Sequence, residues 1–229
     1  MILNFLATSK FAKKITFIGG TNLRLVKGID RFSEDLDFDC KNFYAEDFAE
    51  MAQSVLKFLQ RSGLRAETRE KPGEKVTAFR SSIYFPELLF ELGLSAHKEE
   101  RFLIKLESQN QAFEYTPQMA NISNCGFFFS FPVPPDDVLC AMKLSALLAR
   151  AKGRDFYDAM FLLAQTKPNY DYLAQKQNVH NLTELKIKLM ETTEKIDLSH
   201  KSKDFEHLLF YKINKEKILK FSEFIKMMN

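Results

Sequence analysis

The sequence has no tryptophan, only three cysteines, and no apolar run near the roughly 20 residues that a bilayer span requires. It therefore offers no candidate for a membrane-spanning helix. Cys40, Cys125 and Cys140 are odd in number and far apart, which fits neither a zinc pair nor a disulfide framework and suits a reducing, cytoplasmic setting. The four histidines show no ligand spacing; His200 and His207, seven apart, read as part of a solvated helix face. An excess of either charge is lacking too. A net charge of +3 does not by itself argue for nucleic-acid binding. The opening stretch, MILNFLATSKFAKK, lacks a basic region ahead of its apolar part and a small-residue cleavage site, so it reads as part of the fold. There is no internal repeat and no low-complexity tract.

What remains is a 229-residue chain, 45% apolar and 28% charged, with 23 phenylalanines to furnish a core. That is ordinary for a soluble globular protein and more than one small core needs. Residues 2–13 have helical periodicity and lead into a short strand, Ile15–Ile18. Gly19-Gly20 breaks that strand, and TNLRLVKG reads as a helix opened by Thr21 and closed near Gly28. GIDRFSE is a connector, DLDFDC alternates like a strand, and Tyr44–Arg61 is an amphipathic helix ended at Gly63. LRAETRE, KVTAFRSSIYF, RFLIKLES and GFFFSF are β-rich and separated by turns such as Pro72-Gly73. Beyond the prolines of FPVPP the pattern predicts helices at 135–152, 154–165, 170–177, 182–195, 204–211 and 215–228. The expected architecture is thus α+β (mixed α/β), with a first domain at 1–133 and a helical domain at 134–229.

The DLDFDC strand is the first informative feature. Side chains alternate, so Asp35, Asp37 and Asp39 share one face while Leu36, Phe38 and Cys40 share the other. Aligned carboxylates repel, and a divalent cation relieves the repulsion. The alternative is an edge strand whose charges block aggregation. The upstream glycines add weight to the cation. A strand, a Gly19-Gly20 turn and a helix start at Thr21 place backbone N–H groups and a hydroxyl where a phosphate can approach closely. Glu107 in RFLIKLES shares a strand face with Lys105 and supplies a third carboxylate if its strand neighbours DLDFDC; otherwise the two form a surface pair.

The second feature is DDVLCAMKLSALLARAKGRDFYDAM. Lys143 and Arg150 are seven apart and project to a similar side; Asp155 and Asp158 follow at i, i+3 in the next helix. These groups either form salt bridges that dock the helices or bring Lys143 to a triphosphate, with an aspartate orienting it.

The pieces GGTNLRL, RFSEDLDF, FLIKLES and KLSALLARAKGRDFYD, in that order over 17–163, resemble the AbiEii/AbiGii family of nucleotidyltransferase toxins. The resemblance implies a polymerase-β-like nucleotidyltransferase core with a mixed sheet, followed by a C-terminal helical bundle. It implies nucleotide binding by Gly19, Gly20, Thr21, Lys143 and Arg150, and metal binding by Asp35, Asp37 and Glu107. Asp35, Asp37, Glu107, Lys143, Asp155 and Asp158 match the catalytic positions. The implied chemistry transfers NMP from an NTP, with Mg²⁺ or Mn²⁺, to an acceptor hydroxyl on RNA resembling tRNA. A cognate antitoxin is implied as partner. From Gln165 onward 12 lysines and no arginine face nine acidic residues, which suits phosphate contacts and equally a solvated face. Two other functions share these features: a nucleotidyltransferase acting on a small molecule such as an antibiotic, and a nucleotide-binding or interaction module without chemistry, to which an exposed GFFFSF patch would lend itself.

Overall fold

The computed structural model describes residues 1–68 and 79–228; the turn expected at Pro72-Gly73 and the start of the KVTAFRSSIYF segment lie outside them. The chain forms two compact units. The first comprises Met1–Val26, Glu34–Ala112 and Pro117–Val133, and the second Lys27–Ser33, Phe113–Thr116 and Pro134–Asn229.

The first unit runs α1 (Ile2–Ala7), a 3₁₀ turn (Lys10–Lys13), β1 (Ile15–Ile18), α2 (Gly19–Leu25), β2 (Asp35–Cys40), α3 (Ala45–Arg61), β3 (Glu67–Thr68), β4 (Phe79–Phe85), α4 (Leu88–Glu91), β5 (Phe102–Gln109), β6 (Gln118–Asn124) and β7 (Phe127–Val133). Strands β1 to β5 form one mixed sheet in the order β1-β2-β5-β4-β3. The β2–β5 pair is parallel, with Asp35 opposite Lys105 and Asp37 opposite Glu107. The β1–β2 pair is antiparallel and sets Ile18 against Asp37. Parallel neighbours cannot be joined by a tight turn, and the long connection between these two includes α3.

Helix α3 forms because its apolar residues recur at three- and four-residue steps. Phe48, Met51, Ala52, Val55, Leu56 and Leu59 are all buried. Each large one contributes about 1.5–3 kcal/mol of apolar burial. Asp47 holds the first turn by accepting the Tyr44 N–H at 3.0 Å. Under the sheet, Phe17 of β1, Phe38 of β2 and Phe131 of β7 meet with ring centroids 6.0–6.1 Å apart. The rings are tilted or edge-on, as the aromatic quadrupole prefers. Phe131 thus places GFFFSF in the core on one side, while Phe128 on the other is exposed. The strand β6 pairs with β7 through a hairpin whose corner, Cys125-Gly126, has φ of 49° and 79°. Two positive φ values in sequence are what a type I′ turn needs. The sequence reading passed over β6 because QMANISN buries only Ile122 completely and so carries little apolar alternation.

The second unit contains α5 (Asp136–Arg150), α6 (Gly153–Leu163), α7 (Tyr170–Gln177), α8 (Leu182–Glu194), α9 (Leu198–Asp204), 3₁₀ turns at Glu206–Leu208 and Lys212–Lys220, and α10 (Phe221–Met227). Asn169 and Asn181 cap α7 and α8 by accepting N–H bonds from Tyr172 and Glu184 at 2.9 and 3.0 Å. Phe156 and Phe221 pack edge-to-face at 4.9 Å in the core.

Two helices depart from expectation. Instead of a helix at 204–211, α9 starts earlier, where the Asp197 carboxylate accepts the N–H groups of Ser199 and His200. It stops because the backbone that follows pairs elsewhere. The Phe32 N–H donates to the Leu208 carbonyl at 2.6 Å, the Phe210 N–H donates to the Asp30 carbonyl at 3.3 Å, and Arg31 and Leu209 form an antiparallel bridge. The helix expected at 215–228 is α-helical only from Phe221; the preceding nine residues wind as 3₁₀ turns. Among the described residues no helix is long and apolar enough to cross a membrane.

All three thiols are free; Cys40 and Cys140 are buried and Cys125 is exposed. Burial, with Asp137 and Asp136 nearby, pushes the Cys140 thiol up to about 12, and burial also raises Cys40. Alkylation of the native protein at about pH 8 is therefore expected to modify Cys125 alone, and in denaturant all three. Mass spectrometry showing Cys140 labelled at the rate of Cys125 in the native state would contradict this packing.

Candidate active site

The β1–α2 junction and β2 bring the first group of residues together. Helix α2 begins at Gly19, two residues earlier than the sequence suggested, so Gly19 and Gly20 belong to its first turn. Thr21 does not cap it. The Thr21 hydroxyl donates instead to the Asp35 carbonyl at 2.5 Å, which ties the helix to the start of β2. Gly19 has φ of +81°, and a Cβ built there would stand 2.0 Å from Asp37 Oδ2. Only glycine meets both demands, a positive φ and no Cβ. The Asp37 carboxylate therefore lies directly over the turn. Asn22, which the sequence reading did not single out, is fully buried behind it and donates to the Phe17 carbonyl at 2.7 Å. Its Oδ1 has no hydrogen-bond partner among the described residues.

Asp35 and Asp37 share a face of β2, as alternation requires. Among the described residues Asp35 Oδ1 is sealed from solvent without a hydrogen bond, and Lys105 Nζ meets its charge at 3.5 Å. Glu107 stands in register with Asp37 on the adjacent parallel strand, and Arg80 from β4 reaches its Oε1 at 3.3 Å. Asp39 takes a different part. It is buried and accepts the Gln111 N–H at 2.8 Å, so it anchors the chain leaving β5. Among the described residues no three carboxylate, imidazole or thiolate side chains converge into a ready metal cage. The donor set nonetheless fits Mg²⁺, which takes one or two carboxylates and completes its shell with waters and phosphate oxygens. Asp35 Oδ1, without a hydrogen bond among the described residues, is the observation that supports this fit.

A second group lies within the helical unit. Asp158 on α6 is 0% exposed and receives three charged bonds. Arg31 grips both its oxygens, Nε and Nη2 each at 2.6 Å, and Lys143 of α5 adds Nζ at 3.0 Å to Oδ2. Burial pushes this carboxyl up, but the Lys143 and Arg31 charges and their hydrogen bonds outweigh it and hold the group below its ordinary value. Asp155 is also fully buried. It is gripped by Arg150 at 2.8 and 2.9 Å and accepts the Lys152 N–H at 3.1 Å, so it caps α6 and fastens the end of α5. Arg31 opens the RFSEDLDF segment and has no role assigned from the sequence, where nothing near it signals a buried arginine. Its partner is 127 residues away.

Two stability measurements check this geometry. Gly19→Ala is expected to lower stability beyond the roughly 1–2 kcal/mol that a left-handed backbone costs any side chain. Gly63→Ala, with φ of +84° and open space around it, should cost only that amount. Equal unfolding midpoints in urea for the two variants would contradict the approach of Asp37. Asp158→Asn leaves two buried cations without their counter-charge and should cost about 3–5 kcal/mol at neutral pH. The folded-state value of Asp158 is depressed from 3.8, so its contribution is complete above about pH 4 and is lost as pH falls through the folded value. The gap between wild type and variant should therefore narrow in acid; a gap that widened would contradict the pairing.

The comparisons with known proteins agree with this arrangement at the level of fold. Three solved structures share it across nearly the whole chain. MenT4, a nucleotidyltransferase toxin from Mycobacterium tuberculosis, superposes with a TM-score of 0.59 at 16% identity, covering 100% of this chain and 81% of that one. JHP933 from Helicobacter pylori gives 0.57 at 19%, covering 99% and 87%. A putative nucleotidyltransferase from H. pylori gives 0.56 at 18%, covering 99% and 89%. No curated protein matches the sequence significantly. The family model described as nucleotidyl transferase AbiEii toxin, type IV toxin–antitoxin system, matches residues 2–227, and the chain accordingly belongs to the AbiEii family of nucleotidyltransferase toxins.

Proposed function

We propose that this chain transfers NMP from an NTP to an acceptor hydroxyl on RNA, with a divalent cation, and that this transfer is what its cognate antitoxin restrains. The observation that carries the reading is the Asp37 carboxylate lying over Gly19, with Asp35 one alternation away on the same face. Asp35 and Asp37, with Glu107 beside them, would hold Mg²⁺ or Mn²⁺. When bound, such an ion supplies Lewis-acid polarisation of phosphate oxygens and offsets the charge of the leaving pyrophosphate.

The protein groups then have distinct tasks. Gly19, Gly20 and Thr21 are assigned to the triphosphate through the backbone N–H groups of the first turn of α2, the Thr21 hydroxyl being held by the Asp35 carbonyl. Glu107 accepts the proton of the acceptor hydroxyl. That oxygen bonds to the α-phosphorus, the bond from the α-phosphorus to the bridging oxygen breaks, and pyrophosphate leaves with the electron pair. Lys143, its ammonium held by Asp158, is assigned to the negative charge of the phosphates, with Arg150 as a further phosphate contact. Lys105 and Arg80 support the cation reading. Their side chains are 43% and 66% exposed, and their contacts with Asp35 and Glu107 at 3.5 and 3.3 Å are long. Such partly solvated pairs are worth little, so a divalent ion could displace them at small cost. The RNA acceptor rests on the family resemblance, and the lysine-rich stretch from Gln165 onward is compatible with it.

The test supplies labelled NTPs with Mg²⁺ or Mn²⁺ and, in parallel, total RNA and a panel of small hydroxyl acceptors. Label is expected on RNA, lost on chelation and restored by Mn²⁺. Asp35→Ala and Asp37→Ala should abolish transfer, and Lys143→Met should lower it by about 10²–10³. Label transfer undiminished in Asp37→Ala would remove this strand from the chemistry. Expression should arrest growth, and Asp35→Ala should relieve the arrest.

A further inference from the structure

Arg31 is held from three directions. Its backbone is bridged to Leu209, and the flanking Phe32 N–H and Asp30 carbonyl bond to Leu208 and Phe210. The Asp30 side chain is itself fixed, accepting from the Tyr157 hydroxyl at 2.7 Å and from Asn214 Nδ2 at 2.5 Å. The residue is 1% exposed, and its guanidinium is bidentate on Asp158 and donates through Nη1 to the Phe32 carbonyl at 2.8 Å.

As a counter-charge for Asp158 this arginine is surplus, because Lys143 already lies 3.0 Å from the same carboxylate. Two buried cations share one anion, an arrangement that desolvation makes expensive. What the guanidinium adds is direction. Its planar fork fixes both carboxylate oxygens at once, whereas a lysine ammonium is a point charge on a flexible stem. It also leaves the cluster short of negative charge, so the Lys143 ammonium is not fully spent on Asp158.

We propose that Arg31 is a positioning residue for Lys143: it locks the plane of Asp158, and Asp158 in turn sets the place of the Lys143 ammonium. This deepens the function proposed above and rests on the part given there to Lys143.

The test is a double-mutant cycle on nucleotidyl transfer. Arg31→Met should lower kcat by about a hundredfold, the scale of a 1 Å misplacement, with the KM for NTP changed less than about threefold. In a Lys143→Met background the same substitution should lower kcat by no more than about twofold, because its effect runs through the missing amine. Arg31→Lys, which keeps the charge and loses the fork, should fall between and serves if Arg31→Met does not fold. Full multiplication of the two losses would overturn the proposal. A crystal structure of the Arg31 variant gives a readout independent of activity. The Asp158 carboxylate should turn and Lys143 Nζ should leave its 3.0 Å contact; an unchanged pair would overturn the proposal. If the wild-type protein transfers no nucleotide with any acceptor, the function fails, and the crystal comparison alone decides the positioning.

Discussion

The contact on which the site depends is between an aspartate and a glycine that lacks a side chain. Asp37 can lie over the β1–α2 turn only because Gly19 has no Cβ. The antiparallel register that sets Ile18 against Asp37 makes that meeting unavoidable. Asp35 and Glu107 then follow from strand geometry, one by alternation along β2 and the other by the parallel register with β5. Like charges on one face of neighbouring strands repel. The fold tolerates this with long contacts to two partly exposed cations.

The helical unit solves the opposite problem, with cations in excess of the carboxylate they share. Arg31, Lys143 and Asp158 form a buried cluster whose members come from a short connector, α5 and α6. Breaking such a cluster costs far more than it contributes relative to an apolar replacement. Neighbouring Asp155 and Arg150 show the contrast. They resemble the first pair in sequence, yet Asp155 also accepts a backbone N–H at the start of α6, and Arg150, its side chain 44% exposed, stays open to solvent. The same residue types serve different ends according to what surrounds them.

Much of this was legible in the sequence where the cause is local. The alternation of DLDFDC, the apolar spacing of α3 and the spans of α7 and α8 depend on neighbours within a few residues. What the sequence hid depends on distant partners. The helix expected at 204–211 gives way because residues 30–32 claim its backbone. Thr21, read as a cap, bonds to the Asp35 carbonyl fourteen residues on. Arg31 shows its importance only when residue 158 is brought to it. The acidic face was also less uniform than alternation implied, since Asp39 anchors a backbone N–H.

The central claim is that the Asp35–Asp37 face and the Gly19 turn together clamp a divalent ion and a triphosphate. Anomalous diffraction from crystals soaked with Mn²⁺ and a non-hydrolysable NTP tests it most directly. The account predicts Mn²⁺ bound to oxygens of Asp35 and Asp37, with the triphosphate against Gly19 and Gly20. Manganese and nucleotide bound elsewhere, with Asp35 still paired to Lys105, would contradict it.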